Sequence, residues 1–117
     1  MKTFASTPRP TTSPWGKPDH AREIAPGIWD VSTPSHGGYL ISRERFDAMP
    51  AHLQAFQPFS GTQGAYEEDC DVCVVVVAFP DCFERVAQAR AIINANRGYY
   101  NLDVGTFAPA DGCSRDD

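Results

Sequence analysis

The chain predicts an α+β domain, a small N-terminal β-hairpin or antiparallel sheet packed against two to three helices. Three observations carry that reading. Two short segments, the second with strand-like alternation, flank Pro26-Gly27, a Ser-capped segment opens at Arg43, and an apolar helical pattern runs on from Pro80. At 117 residues the chain holds one domain and one core.

The hairpin comes first. Arg22 to Ala25 and Ile28 to Thr33 flank Pro26-Gly27, a strong turn dipeptide. In the second arm Ile28, Asp30 and Ser32 alternate with Trp29, Val31 and Thr33, the period of a half-buried strand. Pro34-Ser35-His36-Gly37-Gly38 breaks the chain, and Tyr39-Leu40-Ile41 predicts a third short strand. Ser42 suits the N-cap of a short helix over Arg43 to Ala48, ended by Met49-Pro50, with a further helical turn from Ala51 to Phe56. Gly61 to Gly64 reads as a loop into the string Tyr66-Glu67-Glu68-Asp69-Cys70-Asp71.

Val72 to Phe79 supports two readings. Its consecutive valines favour a buried strand. Val72, Val75, Val76 and Phe79 also fall at helical spacing, and the acids ahead of them suit a helix N-terminus. From Pro80-Asp81 a helix is expected to about Asn96, with Phe83, Val86, Ala87 and Ile93 on its apolar face and Gly98 as its stop. Tyr99-Tyr100-Asn101-Leu102 should pack back on the core.

Proline and glycine number 10 and 9, and the prolines crowd toward the N-terminus. Residues 1–20 therefore read as a flexible tail, 21–104 as the α+β domain and 105–117 as a second tail, with both tails dispensable for folding. Trp15 is the exception, an indole expected to dock back onto the domain.

Fifteen acidic residues against 10 basic give a net charge of −5, which disfavours direct nucleic-acid binding and suits a partner with a basic groove. No apolar run reaches the length of about 18 residues that would mark a membrane span, and Met1 to Pro14 has no signal-peptide core. The expected compartment is the cytoplasm, where Cys70, Cys73, Cys82 and Cys113 should be free thiols. The sequence leaves the oligomeric state open.

Two motifs concentrate the chemistry. In Ser32-Thr33-Pro34-Ser35-His36-Gly37-Gly38, an imidazole sits beside backbone that a ligand can approach closely, or the segment is a tight inter-strand loop. In Tyr66-Glu67-Glu68-Asp69-Cys70-Asp71, four carboxylates in five residues could hold a hard divalent cation, imitate phosphate, or simply start a helix. EF-hand spacing is absent. Cys70-Asp71-Val72-Cys73 has C-x-x-C spacing, but no dependable second pair completes a zinc site, and the flanking acids oppose a reactive thiolate or a Cys70–His36 dyad. Walker A, dinucleotide-fold, HExxH and GxSxG patterns are missing. No cofactor and no resident metal are expected.

These strings carry a resemblance. Together with Pro14-Trp15-Gly16, Ile24-Ala25-Pro26-Gly27-Ile28-Trp29 and Phe79-Pro80, they make the chain similar to a poorly characterised proteobacterial family. Its members occur on plasmids, integrative elements and phages and have no assigned function. Val72-Cys73 departs from the pattern, where an aromatic residue is expected after Asp71. The resemblance implies a mobile-element setting and no established reaction.

The expected function is a non-catalytic acidic binding protein, an inhibitor of a host defence nuclease complex of anti-CRISPR or anti-restriction type. Glu67, Glu68, Asp69 and Asp71, with His36 and Tyr66, would occupy a basic nucleic-acid groove. The alternative is a small metal-dependent hydrolase or nuclease, in which His36, Glu67, Glu68 and the neighbouring carboxylates converge on a divalent ion. A purely structural module is the third possibility.

Overall fold

A computed structural model describes residues 3 to 100 of the chain. Cys113, Asn101-Leu102 and the expected C-terminal tail at 105–117 lie outside the described residues. The fold is a four-stranded antiparallel sheet followed by helices, in the strand order β1-β2-β3-β4. The strands are β1 (His20–Ala25), β2 (Ile28–Ser32), β3 (Gly37–Ile41) and β4 (Ala65–Glu67). The helices are α1 (Arg43–Ala48), α2 (Ala51–Gln54), α3 (Val72–Ala78), α4 (Val86–Ala95) and α5 (Arg97–Tyr100).

The hairpin forms as its turn dictates. Gly27 sits at φ +84°, which Pro26-Gly27 supplies without strain. Ile28 and Val31 are both buried but lie on opposite faces of the sheet, Ile28 in the main core and opposite Ile41, Val31 opposite Gly38. Ser42 caps α1 by accepting the Arg45 backbone N–H at 3.1 Å. β4 is an element that the sequence reading passed over. Only three residues long, it pairs Tyr66 with Tyr39 and Glu67 with Gly38, and completes one edge of the sheet.

The Val72 to Phe79 ambiguity resolves as helix. Residues Val72 to Val77 of α3 are all buried, packed on β3, β4 and α4. Helix propensity separates valine from alanine by about 0.5 kcal/mol, whereas burying a valine is worth roughly 1.5 to 3 kcal/mol. Packing on every side therefore outweighs β-branching. Asp69, in the left-handed region at φ 83°, turns the chain into α3, and Phe79 with Pro80 ends it.

The expected helix from Pro80 to Asn96 is corrected in two places. Pro80–Cys82 is a single 3₁₀ turn, and Phe83 is extended (φ −137°, ψ 155°), so α4 starts only at Val86. The extended residue lets the Phe83 ring stack on Tyr39, with centroids 5.6 Å apart and planes 19° apart. Gly98 does not stop the chain either. Asn96 breaks α4, and Gly98 lies inside α5, which returns Tyr100 to the core and leaves Tyr99 half exposed.

Residues 3 to 19 contain no helix or strand, yet they lie against the domain rather than away from it. Phe4 meets the Phe79 ring edge-on at 5.9 Å. Ser6 Oγ and the Thr7 N–H both donate to the Glu23 carboxylate, at 2.6 and 3.1 Å, and Trp29 Nε1 donates to Thr7 Oγ1 at 2.9 Å. Trp15 lies over Gly38.

Glu23 therefore clamps the first segment to the hairpin. The Ser6 hydroxyl first, then the Gly27 N–H, hold its carboxyl below the ordinary value of 4.5. A depressed folded value stabilises docking above about pH 4.5 and loses that contribution as pH falls through it. The protection factor of the Thr7 amide against exchange should fall below that pH, and Glu23→Gln should lower it already at neutral pH. Protection at Thr7 that ignores both would show that the clamp plays no part in docking.

Candidate functional site

The two motifs meet at one end of the sheet. Thr33 closes the β2–β3 loop: its Oγ1 donates to the His36 carbonyl at 2.8 Å and accepts the His36 N–H at 3.1 Å. Gly37 and Gly38 follow because β3 is tightly sandwiched. A Cβ at Gly38 would strike the Tyr66 carbonyl, and would lie 2.8 Å from Trp15 Cη2 and 2.9 Å from Glu67 Cα. The glycines thus serve strand packing. His36 then reaches across to β4, placing Nδ1 2.9 Å from Glu67 Oε2. The imidazole is 55% exposed and the Glu67 side chain 19%.

After Glu67 the chain makes a tight acidic turn. The Glu68 N–H donates to the Gly37 carbonyl at 2.8 Å, and the Cys70 carbonyl accepts Tyr100 Oη–H at 2.7 Å. Between those two anchors Glu68 and Asp69 are exposed. Glu68 and Asp69 face outward on a pinned backbone, with the partly buried Glu67 and its partner His36 beside them.

Tyr66 and Asp71 are placed elsewhere, and this revises the set of exposed residues. Tyr66 is fully buried, its hydroxyl 3.8 Å from Met49 Sδ and its phenol pushed up to about 12 by burial. Asp71 is 1% exposed. Its Oδ2 accepts the Phe59 N–H at 2.7 Å and its Oδ1 accepts the Tyr99 hydroxyl at 2.6 Å. Burial first, and then Asp71 itself, push the Tyr99 phenol up, so it remains a donor to that carboxylate. Alternating sides of a short strand and the first turn of α3 explain the split: Glu67 faces out where Tyr66 faces in, and Asp71 turns under the helix.

The C-x-x-C spacing likewise divides. Cys73 is buried in α3, and burial pushes its thiol up, whereas Cys70 is half-buried and contributes its carbonyl. Cys70, Cys73 and Cys82 are free. Among the described residues no group of three or more His, Cys, Asp or Glu side chains is arranged to hold a metal ion. None of their helices is long and apolar enough to cross a membrane.

A second feature was not anticipated from the sequence. Arg45, on α1, is 5% exposed, with its guanidinium carbon 3.8 Å from the Phe4 ring centroid and 4.8 Å from that of Phe79. Its position three residues after the Ser42 cap marks a helix start, but its aromatic partners lie 41 residues before it and 34 after it in the chain (45 − 4 and 79 − 45), so no local pattern reveals it.

A family model described as a domain of unknown function, DUF7007, matches residues 8–107. The chain belongs to this family. The match spans every strand and helix of the fold, including the Thr33–Gly38 loop and the acidic turn. No curated protein and no solved structure matches the chain.

Proposed function

We propose that this DUF7007 domain is a non-catalytic acidic binding protein. In this reading it is carried by a mobile genetic element, acts in the cytoplasm, and inhibits a host defence nuclease complex of CRISPR or restriction type. Glu67, Glu68 and Asp69 occupy the partner's basic nucleic-acid groove in place of phosphates. The observation that supports this reading is the pinned acidic turn, where the exposed Glu68 and Asp69 and the partly exposed Glu67 are held on a backbone anchored by Gly37 and Tyr100. Carboxylates fixed in advance lose little entropy on binding and accept bidentate hydrogen bonds from arginine much as phosphates do. The net charge of −5 adds long-range attraction to a basic groove.

The hydrolytic reading retains one observation, the His36–Glu67 contact at 2.9 Å. The same contact orients Glu67 within the acidic turn, so it also serves binding. The two readings separate in one assay. A host with an active CRISPR or restriction system is transformed with a targeted plasmid, with and without the protein. Wild type should restore transformation, and the variant Glu67→Gln, Glu68→Gln, Asp69→Asn should not. His36→Gln should retain most of the rescue, since it leaves all three carboxylates charged. Complete loss of rescue with His36→Gln, together with divalent-ion-dependent cleavage of nucleic acid by the purified wild type, would favour the hydrolase.

A further inference from the structure

Arg45 is a buried cation that the acidic turn does not use. Its Nε donates to the Pro26 carbonyl at 2.8 Å, accounting for one of the five N–H donors of a guanidinium. The ion pairs among the described residues are His36–Glu67 and Arg43–Asp47, so no carboxylate there partners Arg45. The rings of Phe4 and Phe79 offset part of the desolvation but accept no directed hydrogen bond in the guanidinium plane. The Arg45 Nη atoms are not among the fully enclosed polar atoms without a partner, so whatever fills the adjoining space completes their shell.

Space for such a group adjoins it. Arg45 lines a cavity of about 520 Å³ with Phe4, Pro26, Ala78, Phe79 and Pro80. That volume lies within the range of small-molecule sites, roughly 300 to 1,000 Å³, and its apolar walls around one charged fork follow their usual pattern. Asp81, exposed at the edge of the same cavity, adds a negative charge that works against a dianion. The planar fork of arginine matches a carboxylate in two parallel hydrogen bonds.

We propose that this cavity binds a small monocarboxylate with an aryl or alkyl body, the carboxylate on the free edge of Arg45 and the body against Phe4, Phe79 and the two prolines. Such a ligand completes the guanidinium shell and buries apolar surface at once. Because Phe4 forms one wall, binding also ties the N-terminal segment to α1 and α3. The site is separate from the acidic turn and does not depend on its function.

Phenylacetate is the probe, titrated into the full chain and followed by NMR shifts of residues 78–82 and by thermal melting. Saturable binding is expected, with 2-phenylacetamide, acetate and phenyl phosphate each weaker by roughly tenfold or more, the worth of a charge-assisted bidentate contact or of the apolar body. Ala78→Leu, which fills the cavity, should abolish phenylacetate binding. Asp81→Asn, at an exposed position, should narrow the gap between phenyl phosphate and phenylacetate, and this serves as the check should Ala78→Leu not fold. Absence of saturable binding, equal affinity for the neutral amide, unchanged affinity in folded Ala78→Leu, or an unchanged gap in Asp81→Asn would overturn the assignment.

Discussion

Asp71→Ala should destabilise the domain by about 3 to 6 kcal/mol, the sum of two hydrogen bonds to a charged acceptor at roughly 1.5 to 3 kcal/mol each. The carboxylate is 1% exposed and holds Phe59 N–H from the preceding loop and the Tyr99 hydroxyl from α5. Removing it leaves the Phe59 donor unmatched and detaches the aromatic cluster in which Phe56 packs on Tyr66, Tyr99 and Tyr100. Against a typical total of about 5 to 15 kcal/mol, that loss takes much of the fold's stability. Glu68→Ala, three residues earlier in the same string and exposed, should change stability by no more than about 0.5 kcal/mol. Urea melts of the two variants measure the contrast. Equal, small shifts would show that Asp71 belongs with the surface acids after all.

Gly38→Ala carries the second large effect. The added methyl would meet the Tyr66 carbonyl, Glu67 Cα and Trp15 Cη2, and two of those three contacts are backbone that cannot rotate aside. Either β4 separates from β3 or the hairpin shifts, at a cost of about 3 kcal/mol, the upper end for overpacking. Trp15 should be displaced toward water, with its fluorescence shifted to the red. Gly98→Ala is the matched control. It has open space around its Cβ and lies in α5, so it should stabilise slightly, by up to about 1 kcal/mol. A Gly38→Ala variant that melts with the wild type would contradict the tight β3–β4 approach.

The features readable in the sequence were those set by local chemistry. Pro26-Gly27 dictates a turn, Ser42 a cap, and the alternation after Ile28 a strand, and all three stand in the fold. What escaped depends on partners far along the chain. β4 is too short to show a period and exists because β3 offers it an edge. Phe83 leaves the expected helix to reach Tyr39, and Arg45 is buried by Phe4 and Phe79. The N-terminal segment has a polar, proline-rich composition that suggests a free tail. Its docking rests on single groups, the Phe4 ring and the Glu23 carboxylate, which no window of composition detects. At the candidate site the acidic string was visible as a unit, but its division into surface and buried carboxylates was not. That division follows from strand alternation at Tyr66-Glu67 and from the turn at Asp69, where φ is 83°.

The division also defines the direct test. Glu67, Glu68 and Asp69 can be neutralised together as Gln, Gln and Asn without touching Asp71, and Asn tolerates the left-handed conformation at position 69. A purified host CRISPR or restriction complex is titrated with wild type and with this triple variant, at low and at physiological salt, and both proteins are melted in parallel. The proposed function predicts equal melting within about 0.5 kcal/mol, wild-type affinity that falls steeply with salt, and a loss of roughly tenfold or more in the triple variant. A triple variant that melts with the wild type and still binds the complex with unchanged affinity and salt dependence would contradict it.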